Sequence, residues 1–189
     1  MIVIDYLCWV LALLVIAGGI VATVFAIRLA RPRLALLALI PIGLGLLLAV
    51  FGVRLLPDPP AFAVVLALGV AGLGVLAGSP LTVYVLDLAS REPVRRGVNG
   101  GILIHRERTG EEQEVLRGGA TVGHLERAAI VGSIALGHPE VILAIIAIKG
   151  LGRFSELDSA SARERFIIGT LASMLWAGAC AVLAVLTVA

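Results

Sequence analysis

The stretch LERAAIVGSIALGHPEVILAIIAIKGLGRF, residues 125–154, is an apolar run with a polar interruption, Gly-His-Pro-Glu, at its centre at 137–140. Charged residues also stand near both of its ends: Glu126, Arg127, Lys149 and Arg153. An ionisable group at membrane depth is costly unless it has a partner, so such residues mark candidate functional sites. We therefore take this stretch as the part of the chain where function is to be sought.

Composition places the chain among membrane proteins. Apolar residues make up 60% of its 189 residues and charged residues only 15%, far from the balance of a soluble domain. Four other apolar runs each approach the ~20 residues that a helix needs to cross a bilayer. They are residues 6–27, 34–53, 61–86 and 166–188. We predict one all-α membrane domain over residues 1–189, a polytopic membrane helical bundle with four full spans and a broken helical hairpin.

Basic residues predict how this bundle is oriented. Lysine and arginine concentrate in the turn after the first run, in the loop 89–123 and in the segment 149–165. Loops rich in these residues face the cytoplasm, so both termini are expected outside it, in a multi-pass protein of the plasma membrane. The net charge of +2 is small and the arginines stand beside apolar runs, so we predict no nucleic-acid partner.

This orientation decides how we interpret residues 125–150. The segments before and after them are predicted on the same side, and each half, Leu125–Leu136 and Pro139–Gly150, has about twelve residues, or ~18 Å of helix. We predict a re-entrant hairpin in which Gly137 ends the first half and Pro139 begins the second. A single kinked span, which would place the C-terminus in the cytoplasm, and a pair of helices on the membrane surface are the alternatives.

Two candidate ligand-binding sites follow from the hairpin. Antiparallel arms would bring Glu126, Arg127, Lys149 and Arg153 together at the cytoplasmic rim. Glu126 would then pair with one of the two basic residues of the second arm, or the basic residues would bind an anionic lipid headgroup.

The tip of the hairpin is the second candidate. His138 and Glu140 combine an imidazole and a carboxylate, groups that can move a proton or hold a cation. The alternative is that both are merely hydrated, with Glu140 in the favourable first turn of the second half-helix. We find no phosphate loop, zinc motif or nucleophile elbow. We therefore predict no metal and no cofactor, and we assign no catalytic residue.

Residues 119–175 resemble the C-terminal module of an uncharacterised family of bacterial integral membrane proteins, a domain of unknown function. The resemblance rests on three motifs with spaced charges, Gly-x-x-x-Gly-x-Leu-Glu-Arg at 119–127, Lys-x-x-x-Arg-Phe at 149–154 and Glu-x-x-x-Ile-Gly-Thr-x-x-Ser at 164–173. It implies a bacterial membrane location and marks a set of residues, Glu126, Arg127, Lys149, Arg153, Phe154 and Thr170. It implies no activity.

Three functions fit these patterns. The first is binding or movement of a small ion or lipid-linked substrate at a polar centre formed by the broken segment. The second is an enzyme acting on a lipid headgroup at the rim, with Glu126 or His124 as a base and the basic residues holding phosphate. The third is a non-catalytic assembly or scaffold subunit. Membrane lipids are the expected partners, together with a second copy of the chain or another membrane protein.

Overall fold

The computed structural model describes residues 2–53, 60–89, 102–105, 112–115, 119–153 and 160–189. Helices dominate these ranges, as the sequence predicts. In chain order they are α1 (Ile2–Arg28), the 3-10 helix η1 (Pro32–Ala38), α2 (Leu39–Val50), α3 (Ala61–Leu76), α4 (Gly78–Ala89), α5 (Gly119–Ala135), α6 (Val141–Arg153) and α7 (Ala160–Val188). Between α4 and α5, strand β1 (Ile102–His105) pairs antiparallel with β2 (Glu112–Val115), Ile102 lying opposite Val115.

Three helical units are long and apolar enough to cross a membrane. They are α1, the unit Pro32–Val50 formed by η1 and α2, and α7. All three coincide with apolar runs from which the sequence predicts spans. Large apolar side chains, among them Leu14, Leu68, Leu143 and Leu171, are exposed on the outside of the bundle. Contiguous apolar surface of this kind suits contact with lipid rather than water.

The third apolar run, residues 61–86, differs from the prediction of an uninterrupted span. It is divided into α3 and α4, which meet at Ala77 and are bent by 44°. Pro80 has no N–H and cannot donate to the carbonyl of Leu76, and Gly78 gives the backbone freedom beside it. The structure thus shows three uninterrupted units and one bent pair, which make four spans if the pair crosses as one unit. The interruption at 137–140 is not the only one.

The chain reverses direction between α5 and α6. Lys149, in the C-terminal half of α6, pairs with Glu126, in the middle of α5, and the chain turns back between them at 137–140, so the two helices are antiparallel. Gly137 closes α5 with φ of 77°, and the N–H of His138 donates to the carbonyl of Ser133 at 2.8 Å. This is a Schellman motif, and α6 begins two residues after Pro139. A single kinked span would instead place Lys149 and Glu126 at opposite ends.

The central element of the bundle is α7, which packs on α3, α4 and α5. Cys180 and Ala177 of α7 and Leu73 of α3 are fully buried in the apolar core. The indole Nε1 of Trp176 donates to the carbonyl oxygen of Leu73 at 3.1 Å. The last turn of α3, just before the break, is therefore held against the middle of α7.

Candidate functional site

Arg127 of α5 lies inside the bundle, with only 2% of its surface exposed. Its Nε donates to the carbonyl oxygen of Val75 at 2.7 Å. One terminal nitrogen donates to Ser79 Oγ at 2.7 Å, and the other to Ser173 Oγ at 3.1 Å. These acceptors belong to α3, α4 and α7, so a single guanidinium joins four helices at the break between α3 and α4.

Two glycines make room for this side chain. A Cβ at Gly78 would overlap the Cδ and Nε atoms of Arg127, and a Cβ at Gly123 would lie 3.1 Å from one terminal nitrogen. Gly123 precedes Arg127 by four residues, which places it on the same face of α5 one turn earlier. Gly78 and Gly123 thus shape the space that the guanidinium fills.

No described carboxylate forms an ion pair with Arg127, although the neighbouring Glu126 attracts its charge without contacting it. A guanidinium has five N–H donors and stays protonated in proteins. The described residues supply three acceptors, and all three are neutral oxygens. The adjacent carboxylate, Glu126, is hydrogen-bonded to Lys149 instead. The centre therefore carries one positive charge.

The guanidinium lies near the middle of the longest helix. Its partner Ser173 stands thirteen residues after the start of α7 and fifteen residues before its end. At 1.5 Å per residue, these separations are about 20 Å and about 22 Å. Within the apolar run 166–188, however, Ser173 stands seven residues after the start, or about 10 Å, so if this run crosses a bilayer Arg127 lies within the hydrocarbon layer, where charged groups are rare and generally functional.

Glu126 and Lys149 form an ion pair on the other side of α5. Their side chains are 11% and 18% exposed, respectively, and Lys149 Nζ also lies 5.9 Å from the centre of the Phe166 ring. The pair holds the end of α6 to α5 and α7. This agrees with one of the two pairings that the sequence predicts.

The predicted rim cluster of four residues does not form. Consecutive residues on a helix point about 100° apart, so Arg127 faces the bundle while Glu126 faces α6. Arg153 is the last residue of α6, and its side chain lies outside the part that the structure describes. Phe154 falls outside the described residues as well. Among the side chains that the structure describes, the site at this level is therefore one ion pair and, separately, one buried arginine.

At the hairpin tip, Nδ1 of His138 lies 2.9 Å from a carboxylate oxygen of Glu140. Their side chains are 67% and 66% exposed. Across the described ranges, no group of three His, Cys, Asp or Glu side chains is placed to hold a metal ion. The two tip residues thus contact each other, in agreement with the alternative in which they are hydrated.

From the sequence, Pro80 is expected to be able to kink its helix, but Ser79 is not marked as a site residue. The signal was present, because Gly78-Ser79-Pro80 combines a flexible residue with one that cannot donate a helical hydrogen bond. From the sequence, Arg127 is a candidate of the rim cluster, whereas Gly123 and Ser173 stand only in spaced motifs, and the structure brings the three together. Their spacing alone did not reveal that α5 and α7 meet through them.

Substitution of Gly78 tests whether the guanidinium is built into the fold. We expect Gly78→Ala to lower the free energy of unfolding in detergent by about 1–3 kcal/mol, because the added methyl overlaps Arg127. Gly72→Ala is the matched control, since its Cβ would meet no atom within 4 Å. In an Arg127→Ala background the cost of Gly78→Ala should largely disappear. Equal effects of the two glycine substitutions in the wild-type background would contradict this account.

Comparison of the chain with protein-family models, with curated proteins and with solved structures finds no match. The resemblance of residues 119–175 to a bacterial membrane family therefore stays a prediction.

Proposed function

We propose that this chain is a multi-pass protein of the bacterial plasma membrane. In this arrangement the bent pair α3–α4 crosses as one unit, and the hairpin α5–α6 enters and returns on the cytoplasmic side. Both termini then lie outside the cytoplasm. The three long apolar units and the basic segments support this arrangement, since it places all three basic segments in the cytoplasm.

Reporter fusions test the orientation. Alkaline phosphatase fused after Ala189 should be active, because the enzyme folds only outside the cytoplasm, whereas a fluorescent protein at the same place should be dark. A fusion made after Ala89 is the matched control and should give the reverse result. Cytoplasmic fluorescence from the Ala189 fusion would contradict the proposal, as would phosphatase activity from the Ala89 fusion.

Within this membrane domain, we propose that Arg127 binds a small anion. The observation that carries this proposal is a buried guanidinium whose partners among the described residues are all neutral. A buried charge without an opposite charge is strongly unfavourable in a protein interior, and more so at membrane depth. An anion would neutralise this charge. It would also accept hydrogen bonds from the N–H groups of Arg127 that the three neutral oxygens do not bind.

The break between α3 and α4 supports the same function. Discontinuous helices near the midplane commonly form the binding sites of transporters, with helix N-termini directed at anionic groups. α4 begins at Gly78, directly beside the guanidinium. The positive end of its dipole adds to the charge of Arg127 in favouring an anion.

The hypothesis of an enzyme at the rim receives less support. It requires Glu126 as a free base and Lys149 free to hold phosphate, and these two side chains bind each other. The other candidate base, His124, has Nδ1 within 2.6 Å of the carbonyl oxygen of Ala120. We therefore place the binding function at Arg127 and assign the ion pair to holding α6.

Anion-dependent stabilisation of the purified protein tests this function. At constant ionic strength, replacing bulky gluconate by a small anion should raise the unfolding temperature, because a ligand of the folded state adds RT ln(1 + [L]/Kd) to its stability. Arg127→Lys should remove this rise, since lysine lacks the planar fork that reaches three acceptors. Arg33→Lys changes an exposed arginine and should keep it. The absence of any anion-dependent rise in the wild-type protein would contradict the proposal.

A further inference from the structure

Two threonine hydroxyls one helical turn from the Arg127 site have no hydrogen-bond partner among the described residues. The Oγ1 atoms of Thr82 and Thr170 are buried, and neither makes a hydrogen bond to any described residue. Threonines inside helices commonly donate to a carbonyl of the preceding turn, as Thr23 does to Gly19 and Thr187 does to Leu183, both at 2.8 Å. Buried hydroxyls without partners are rare and call for an explanation.

Their positions relate them to the guanidinium. Thr82 follows Ser79 by three residues on α4, and Thr170 precedes Ser173 by three residues on α7. Residues three apart share a helix face, so both threonines belong to the faces whose serines accept hydrogen bonds from Arg127. Ser79 and Ser173 form one polar level of the bundle, and the two threonines form a second. The second level lies one helical turn closer to Ala89, where α4 ends, and to Ala160, where α7 begins.

This second level is narrow. A Cβ at Gly169 would lie 3.4 Å from the methyl carbon of Thr82, so α4 and α7 approach each other closely there. On α5, Gly123 is buried at the corresponding turn and presents no side chain next to the guanidinium. A bulky substrate would therefore not fit between α4 and α7 at this level.

The positive charge of Arg127 determines which small ligands this site can bind. The guanidinium and the hydroxyls can all donate hydrogen bonds, and the positive charge repels a metal cation. One buried guanidinium neutralises one negative charge. A dianion such as sulfate would leave an uncompensated charge in the interior, which is strongly unfavourable.

From these observations we infer that the ligand of Arg127 is a small monovalent anion, such as a halide or nitrate, which reaches the guanidinium from the cytoplasmic side between α4 and α7 and is received there by Thr82 and Thr170. This inference rests on the proposed anion-binding function and names its ligand class and its route. The threonines supply donors while the anion passes a level that has no other described charge.

Valine substitutions test the inference, because valine keeps the shape of threonine and removes only the hydroxyl. In the Thr82→Val, Thr170→Val double variant, chloride, bromide and nitrate should bind at least about tenfold more weakly, since hydrogen bonds to a charged group are lost. In gluconate the same variant should be as stable as the wild type or more stable, because a buried hydroxyl without a partner is removed. Thr187→Val, whose hydroxyl already has a backbone partner, should bind these anions like the wild type.

The outcomes separate this inference from the proposed function. Anion binding that Arg127→Lys removes and the threonine variants leave unchanged would overturn the threonine route but keep the function of Arg127. Sulfate binding as tight as chloride binding, measured at equal ionic strength, would overturn the monovalent class. The absence of binding for all of the anions in the wild-type protein would overturn both proposals.

Discussion

The hydrogen bond from Arg127 Nε to the carbonyl of Val75 is the contact on which the arrangement of the bundle depends. Val75 lies in the last turn of α3, where carbonyls lack donors from their own helix. Trp176 of α7 donates to Leu73 in the same turn. Side chains of α5 and α7 thus stabilise the broken end of α3, and the serines that hold the guanidinium add α4 to the same junction. The Leu73 carbonyl also accepts the N–H of Ala77 at 2.9 Å, whereas the described donor to the Val75 carbonyl is Arg127. Without that donor, the bend would leave the Val75 carbonyl unsatisfied in a lipid environment.

Typical free energies of arginine insertion and of hydrogen bonding indicate what a ligand would contribute at this junction. Insertion of an arginine at the centre of a membrane helix costs about 2.5–3.5 kcal/mol on translocon scales, and each hydrogen bond to a charged group contributes about 1.5–3 kcal/mol. Three such bonds are enough to hold the guanidinium in the folded protein. They do not neutralise its charge, because all three acceptors are neutral. Charge neutralisation is therefore the role left to an anion.

Turn-forming residues made part of this structure predictable from the sequence. Gly137 and Pro139 indicated the reversal between α5 and α6, and an antiparallel pair of arms then implied the contact between Glu126 and Lys149. The direction of Arg127 was not predictable, because it depends on which face of α5 meets α3, α4 and α7. Hydropathy gives no sign of the break at Gly78, because the run on both sides of it stays apolar, and only the local sequence Gly78-Ser79-Pro80 indicates a bend. The polar level at Thr82 and Thr170 depends on how α4 and α7 pack, which no local pattern encodes.

The central claim is that an anion binds at the buried guanidinium, and bromide locates anions directly by anomalous X-ray scattering. Crystals of the wild-type protein grown in bromide should show an anomalous peak in contact with the terminal nitrogens of Arg127, on the side of Thr82 and Thr170. The peak should be absent from Arg127→Lys crystals grown in the same way. Well-diffracting wild-type crystals with bromide only at exposed arginines, and none at Arg127, would contradict the account.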